Sequence, residues 1–192
     1  MSTQTSLLDS KDVETIFPEI LQIQNAELRE KCNAVLVEAY CVGGWDRSNA
    51  LSCPVSMRIK SPKLKSQVDH VHAVTAIALA MYDSLESIYK NDTQLRDLII
   101  VGALLHDAGK MLEFTLRDGV ACHADNADLI RHPLSGAILA AKHQLPDEII
   151  HLIANHSFEG EKSKKTLLST IVNQADAASF AYIAMMDEQL QK

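Results

Sequence analysis

The stretch "VGALLHDAGKMLEF", Val101 to Phe114, constrains this chain more than any other. An apolar run patterned for burial carries straight into His106-Asp107 and then Gly109-Lys110. Burying an imidazole or a carboxylate costs several kcal/mol unless it finds a partner. The same conflict recurs along the chain when helices are projected with their 3.6-residue period. Over 67–90, His70 shares a face with Val74, Ile77 and Met81. Over 94–109, His106 follows Ile99 and Gly102, and Asp107 follows Ile100, Ala103 and Leu104. His132 precedes Pro133, which suits the first turn of a helix over 133–144, and Gly136, Leu139 and Ala140 continue its face. Over 146–157, Ile149, Leu152, Ile153 and His156 form one stripe. Over 164–187, Val172, Asp176, Phe180 and Ile183 line up.

A lone His on an apolar stripe is ordinarily a hydrogen-bonded core residue, and a lone Asp a cap or an ion-pair partner. Six such groups on five successive elements call for one shared explanation. The inner stripes carry no Lys or Arg to neutralise them. A metal ion satisfies several imidazoles and carboxylates at once, and His/Asp sets suit Fe, Mn, Zn, Co or Ni. Helix bundles build such sites from facing helices.

The remaining patterns predict an all-α bundle. Residues 11–42 read as mostly helical, interrupted near Pro18. Residues 41–66, rich in Gly, Ser and Pro, read as a long irregular connection of the kind that is often functional. Within the ambiguous segment 111–130, Arg117-Asp118-Gly119 is set to turn one small hairpin after the His-Asp pair, because Asp-Gly favours positive φ. Two parts are expected: an N-terminal helical appendage over 1–45 packing on the core, and a metal-binding domain over 46–192. No apolar run approaches the roughly 18 residues of a membrane span, the N-terminus lacks the pattern of a signal peptide, and the four Cys are scattered without a CxxC pair. A cytoplasmic location with no membrane partner is therefore expected. The net charge of −7 argues against sequence-independent binding of a polynucleotide. Nothing in the pattern specifies an oligomeric state.

Taken in order, His70, His106-Asp107, His132, His156 and Asp176 resemble the HD-domain superfamily of metal-dependent phosphohydrolases, and "LLHDAGK" is similar to that family's central motif. The match covers roughly residues 50–185. Within the family, "CPVSMRIKSPKLKSQVDHVHAV", "ADLIRHPLSGA" and "LIANHSFEG" are most similar to the HD catalytic domain of bacterial 3′–5′ exoribonucleases and their stand-alone relatives. Arg58 or Lys60 stands where those nucleases carry another His, and His156-Ser157-Phe158 replaces a His-His-Gly pattern.

The resemblance implies an HD-domain helical bundle binding one or two divalent transition metals (Fe, Mn, Co, Ni or Zn). His70, His106, Asp107 and Asp176 would hold one ion, and Asp107 would bridge to a second held by His132 and His156. Asp107 and Lys110 would be catalytic, Lys110 as the phosphate contact beyond a helix ended by Gly109. The implied activity is hydrolysis of a small anionic phosphoester by a metal-bound hydroxide, the substrate being a nucleotide, a cyclic nucleotide or a short oligonucleotide. Two alternatives share the same ligands: a mixed-valent di-iron oxygenase cleaving a C–C or C–P bond, and a catalytically silent nucleotide-sensing module. From the residues alone, Arg58, with Lys60, Lys63 and Lys65, forms a basic run that suits an anionic substrate. His72 competes with His70 as first ligand. His123, His143 and His151 fall outside the pattern, Trp45 reads as packing, and Glu113 and Glu159 are candidate outer acids.

Overall fold

The structure is a computed structural model and describes residues 7–90 and 95–191. Its helices are α1 (Ser10–Ile16), α2 (Ala26–Val42), α3 (Gln67–Tyr89), α4 (Arg96–Leu105), α5 (Lys110–Glu113), α6 (His132–Lys142), α7 (Asp147–Asn155) and α8 (Leu167–Leu190). Between α5 and α6 lies one antiparallel hairpin, β1 (Phe114–Arg117) and β2 (Val120–His123). The fold is thus an all-α bundle with one small hairpin. Asp118 and Gly119 make its two-residue loop, both with positive φ, as a tight hairpin turn requires.

Local signals start the helices where the site needs them. Ser66 caps α3 by accepting from Asp69 N–H, so the helix opens one turn before His70. A reciprocal Thr166/Ser169 capping box opens α8, the helix of Asp176. Helices α3, α4 and α8 pack together as the centre of the bundle. Along α7, Ile149, Leu152 and Ile153 are fully buried. Each such side chain contributes about 1.5–3 kcal/mol, and this stripe holds in place the turn that carries His156.

Buried residues from the N-terminal segment, among them Phe17, Ile20, Leu36, Tyr40 and Trp45, belong to the same hydrophobic cluster as Ile99, Leu104 and Val172. The carboxylate of Asp97 at the start of α4 accepts from the backbone N–H of Gln24 and of Asn25, which pins the entry to α2. Among the described residues no helix is long and apolar enough to cross a membrane.

Several boundaries differ from expectation. The expected start of the α4 pattern at residue 94 lies outside the described residues. The same pattern was expected to run to 109, but α4 ends at Leu105 and residues 106–109 form a turn. His106 and Asp107 therefore leave the helix end rather than its side. Gly109 does not end a helix through left-handed backbone; its φ is −68° and it leads into α5. Its role is close approach: a Cβ there would lie 2.1 Å from the carbonyl oxygen of His132 and 2.5 Å from Ser135 Oγ. The region expected as an irregular connection over 41–66 begins with the end of α2 at Val42 and then carries short 3₁₀ turns at Ala50–Ser52 and Pro62–Leu64. It is tied across its base by Val55 N–H to Lys65 O and Gln67 N–H to Cys53 O.

The crowding at Gly109 predicts that Gly109→Ala destabilises the chain by about 2 kcal/mol through overpacking. Thermal denaturation should show a melting temperature roughly 4–8 °C lower for a chain of this length. A variant melting within a degree of the wild type would contradict the close approach.

Candidate metal centre

Asp107 lies at the centre, 2% exposed, one residue beyond the end of α4's cap. Its two oxygens face different triads. Oδ2 is 3.3 Å from His106 Nε2 and 3.6 Å from His70 Nε2. Oδ1 is 3.4 Å from His132 Nε2 and 3.3 Å from His156 Nε2. Asp176, from α8, completes the first side, with Oδ1 3.1 Å from His70 Nε2 and 3.8 Å from His106 Nε2. The donors form two sets that could each hold a metal ion: His70, His106 and Asp176, and Asp107, His132 and His156.

The four imidazoles are oriented alike. His106 Nδ1 lies 2.6 Å from Ala103 O, and His156 Nδ1 lies 2.8 Å from Ile153 O. His132 Nδ1 lies 2.6 Å from Glu113 Oε2, which also accepts from His132 N–H at 2.7 Å. A carbonyl or carboxylate at Nδ1 requires the proton there, which leaves the Nε2 lone pair aimed at the centre. His70 Nδ1 is held by Ser179 Oγ at 3.0 Å. Neither His70 Nε2 nor His106 Nε2 makes a hydrogen bond, although both atoms are buried. Buried lone pairs without donors, set around carboxylates, are what a divalent cation satisfies.

The electrostatics agree. Burial alone would raise the pKa of Asp107, but Lys110 and His106 hold it well below the ordinary carboxylate range. Burial opposes ionisation of Asp176 too, and the neighbouring His70 and His106 imidazoles outweigh that and draw its pKa below the usual carboxylate value. Burial lowers the pKa of His70 and of His132, favouring the neutral imidazoles that ligate metals. Burial would also lower His106, but the Asp107 and Asp176 carboxylates turn the shift upward. The field that favours a proton on His106 Nε2 favours a metal cation there for the same reason.

Lys110 departs from the sequence reading. It does not reach outward. The ammonium is buried, with Nζ 2.7 Å from Asp107 Oδ2 and donating to Val55 O at 2.8 Å. A cation therefore does face the interior, contrary to the expectation from the inner stripes. The cause is the turn at 106–109, which swings α5 back over Asp107. Arg58 is exposed on the wall of a cavity of about 650 Å³ that opens on Asp107, Lys110 and both triads.

Three contributors escaped the sequence reading. Gln67 is fully buried and its Nε2 donates to Asp107 Oδ2 at 3.0 Å. Ser179 sits three residues after Asp176 on one face of α8, a spacing that could have flagged it. The carbonyl of Val55 leaves no side-chain signal. His72, the rival of His70, turns to Glu19, with Nδ1 2.6 Å from Oε1, and packs on Phe17. His143 pairs with Glu38 and His151 with Lys164 O. His123 packs on Phe114 and lines the cavity. Trp45 is buried and donates to Met111 O. Glu159 pairs with Arg131 at the cavity wall.

Comparison with known proteins agrees with this geometry. The family model of the HD domain matches residues 68–181. The chain belongs to the HD-domain family. It is also similar to a protein of Methanocaldococcus jannaschii named dihydroneopterin 2′,3′-cyclic phosphate phosphodiesterase, with 36% identity over 113 residues. That match covers 58% of this chain and 45% of the relative, so the chain spans less than half of the relative's length. No solved structure gives a significant match.

The hold of Glu113 on His132 predicts that Glu113→Ala weakens binding of Mn²⁺ about 10–100-fold, as loss of an orienting partner does. Titration calorimetry reads this directly. Equal affinity in variant and wild type would show that Glu113 does not position His132.

Proposed function

We propose that this HD-domain protein is a metal-dependent hydrolase of small phosphoesters. The observation that carries the proposal is the convergence of four imidazole Nε2 atoms on the two oxygens of one buried carboxylate, Asp107. In this reading His70, His106, Asp107 and Asp176 hold one divalent transition ion. Asp107, with His132 and His156, would hold a second. Bound ions supply Lewis acidity at the phosphoryl oxygen and a nucleophile near neutral pH.

The chain's own residues supply the rest. Gln67 donates to Asp107 Oδ2 and, with Lys110, keeps the carboxylate ionised and oriented. Lys110 has three N–H donors, two of them used on Asp107 and Val55. The third suits a phosphoryl oxygen, where a buried ammonium stabilises the negative charge carried by the phosphoryl oxygens in the transition state. Arg58 lines the cavity and draws in the anion from outside.

A small substrate suits this site better than a polynucleotide. The chain carries a net charge of −7, whereas tracking a nucleic-acid backbone takes an extended basic surface. The similarity to a cyclic phosphate phosphodiesterase supports a cyclic phosphodiester as the ester group.

Protein stripped of metal and reloaded with Mn²⁺, Co²⁺, Ni²⁺, Fe²⁺ or Zn²⁺ should hydrolyse a 2′,3′-cyclic nucleotide, and a chelator should abolish turnover. Asp107→Ala removes several kcal/mol of metal-dependent stabilisation, so its rate should fall roughly 10³-fold or more. Oxygen uptake in place of hydrolysis, or an Asp107→Ala variant as fast as the wild type, would overturn the proposal.

A further inference from the structure

The cavity is larger than the ester group needs. At about 650 Å³ it falls within the roughly 300–1,000 Å³ of sites that take an organic ligand. Its floor is imidazole and carboxylate, yet Phe158 on its wall is 64% exposed. The Arg131 guanidinium lies over that ring, with Cζ 4.6 Å from the centroid, inside the range of cation–π stacking. Arg131 is itself held by Glu159.

The backbone beneath the ring is tightly packed. Phe158 opens a 3₁₀ turn ending at Gly160, where a Cβ would lie 2.0 Å from Asn155 O. The carbonyl of Gly160 accepts from Ser163 Oγ and Lys165 Nζ. This turn begins two residues after His156, so the ring is anchored beside the second triad. Phe180, from α8, adds a second aromatic ring to the same cavity. A solvent-facing phenyl ring on a fixed turn, with a fixed guanidinium on it, is a flat π platform. Such platforms take planar heterocycles irrespective of their hydrogen-bonding edge.

We propose that Phe158, backed by Arg131, is the subsite for a planar aromatic ring in the substrate, so that the ester group is carried by a heterocycle-bearing alcohol such as a nucleoside. The inference rests on the hydrolase reading for its reaction and on the platform for its specificity. Phe158 acts as a specificity residue: it gains contact with the ring and has no part in the bonds that change.

Two esters with the same reactive group separate the ring from the chemistry: adenosine 2′,3′-cyclic phosphate and glycerol 1,2-cyclic phosphate. With Mn²⁺-loaded protein, kcat/KM should favour the adenosine ester by about tenfold to a hundredfold, the scale of one stacked base. Phe158→Ala should shrink that ratio at least tenfold, chiefly through KM for the adenosine ester, and Phe158→Tyr should retain it. Titration calorimetry with adenosine monophosphate and glycerol 3-phosphate repeats the comparison without turnover. A preference unchanged in Phe158→Ala, or absent from the wild type, overturns the subsite. Turnover of neither ester defeats the hydrolase reading alone, and the calorimetric ratio then decides the subsite.

Discussion

The structure turns on a carboxylate that should not be buried. Asp107 is almost completely out of solvent, yet it is held ionised. An ionised carboxylate in a protein interior is costly unless donors surround it. Here Gln67 at the start of α3 and Lys110 in α5 donate to it, while the imidazoles of four separate segments turn their Nε2 atoms toward its two oxygens. The bundle's geometry serves that convergence. Gly109 lets the turn after α4 lie against the first turn of α6, and the capped starts of α3 and α8 set the depth of His70 and Asp176.

The imidazoles are positioned from behind as firmly as they face forward. Backbone carbonyls one turn back hold His106 and His156, and Glu113 holds His132 by both its ring and its backbone N–H. Because these partners belong to rigid elements, the lone pairs are preorganised. The symmetry about Asp107, one oxygen to each triad, ties the two halves of the site together: a change on one side alters the field at the other.

The six central residues were legible because they break an otherwise regular apolar period, and Pro133 marked the first turn of α6. The hairpin was legible in Asp118-Gly119, where positive φ at both positions leaves little choice. What stayed hidden has physical reasons. The apolar pattern of α4 runs on past Leu105, so periodicity alone did not show the turn that redirects Lys110 inward. Gln67 at a helix start looks like a solvated residue until Asp107 is brought to it by a contact forty residues distant in sequence. Val55 acts through its carbonyl, which no side-chain pattern reports, whereas Glu113, a candidate outer acid from the sequence, does meet His132.

The proposal that one carboxylate serves two metal sites is tested most directly by counting ions per chain. Metal analysis after reloading with Mn²⁺ and removal of excess should find two ions in the wild type and one in His132→Ala. Asp107→Ala should lose both, because in the proposed reading Asp107 is a ligand of each ion. An Asp107→Ala chain that still binds two ions would contradict the shared-carboxylate account.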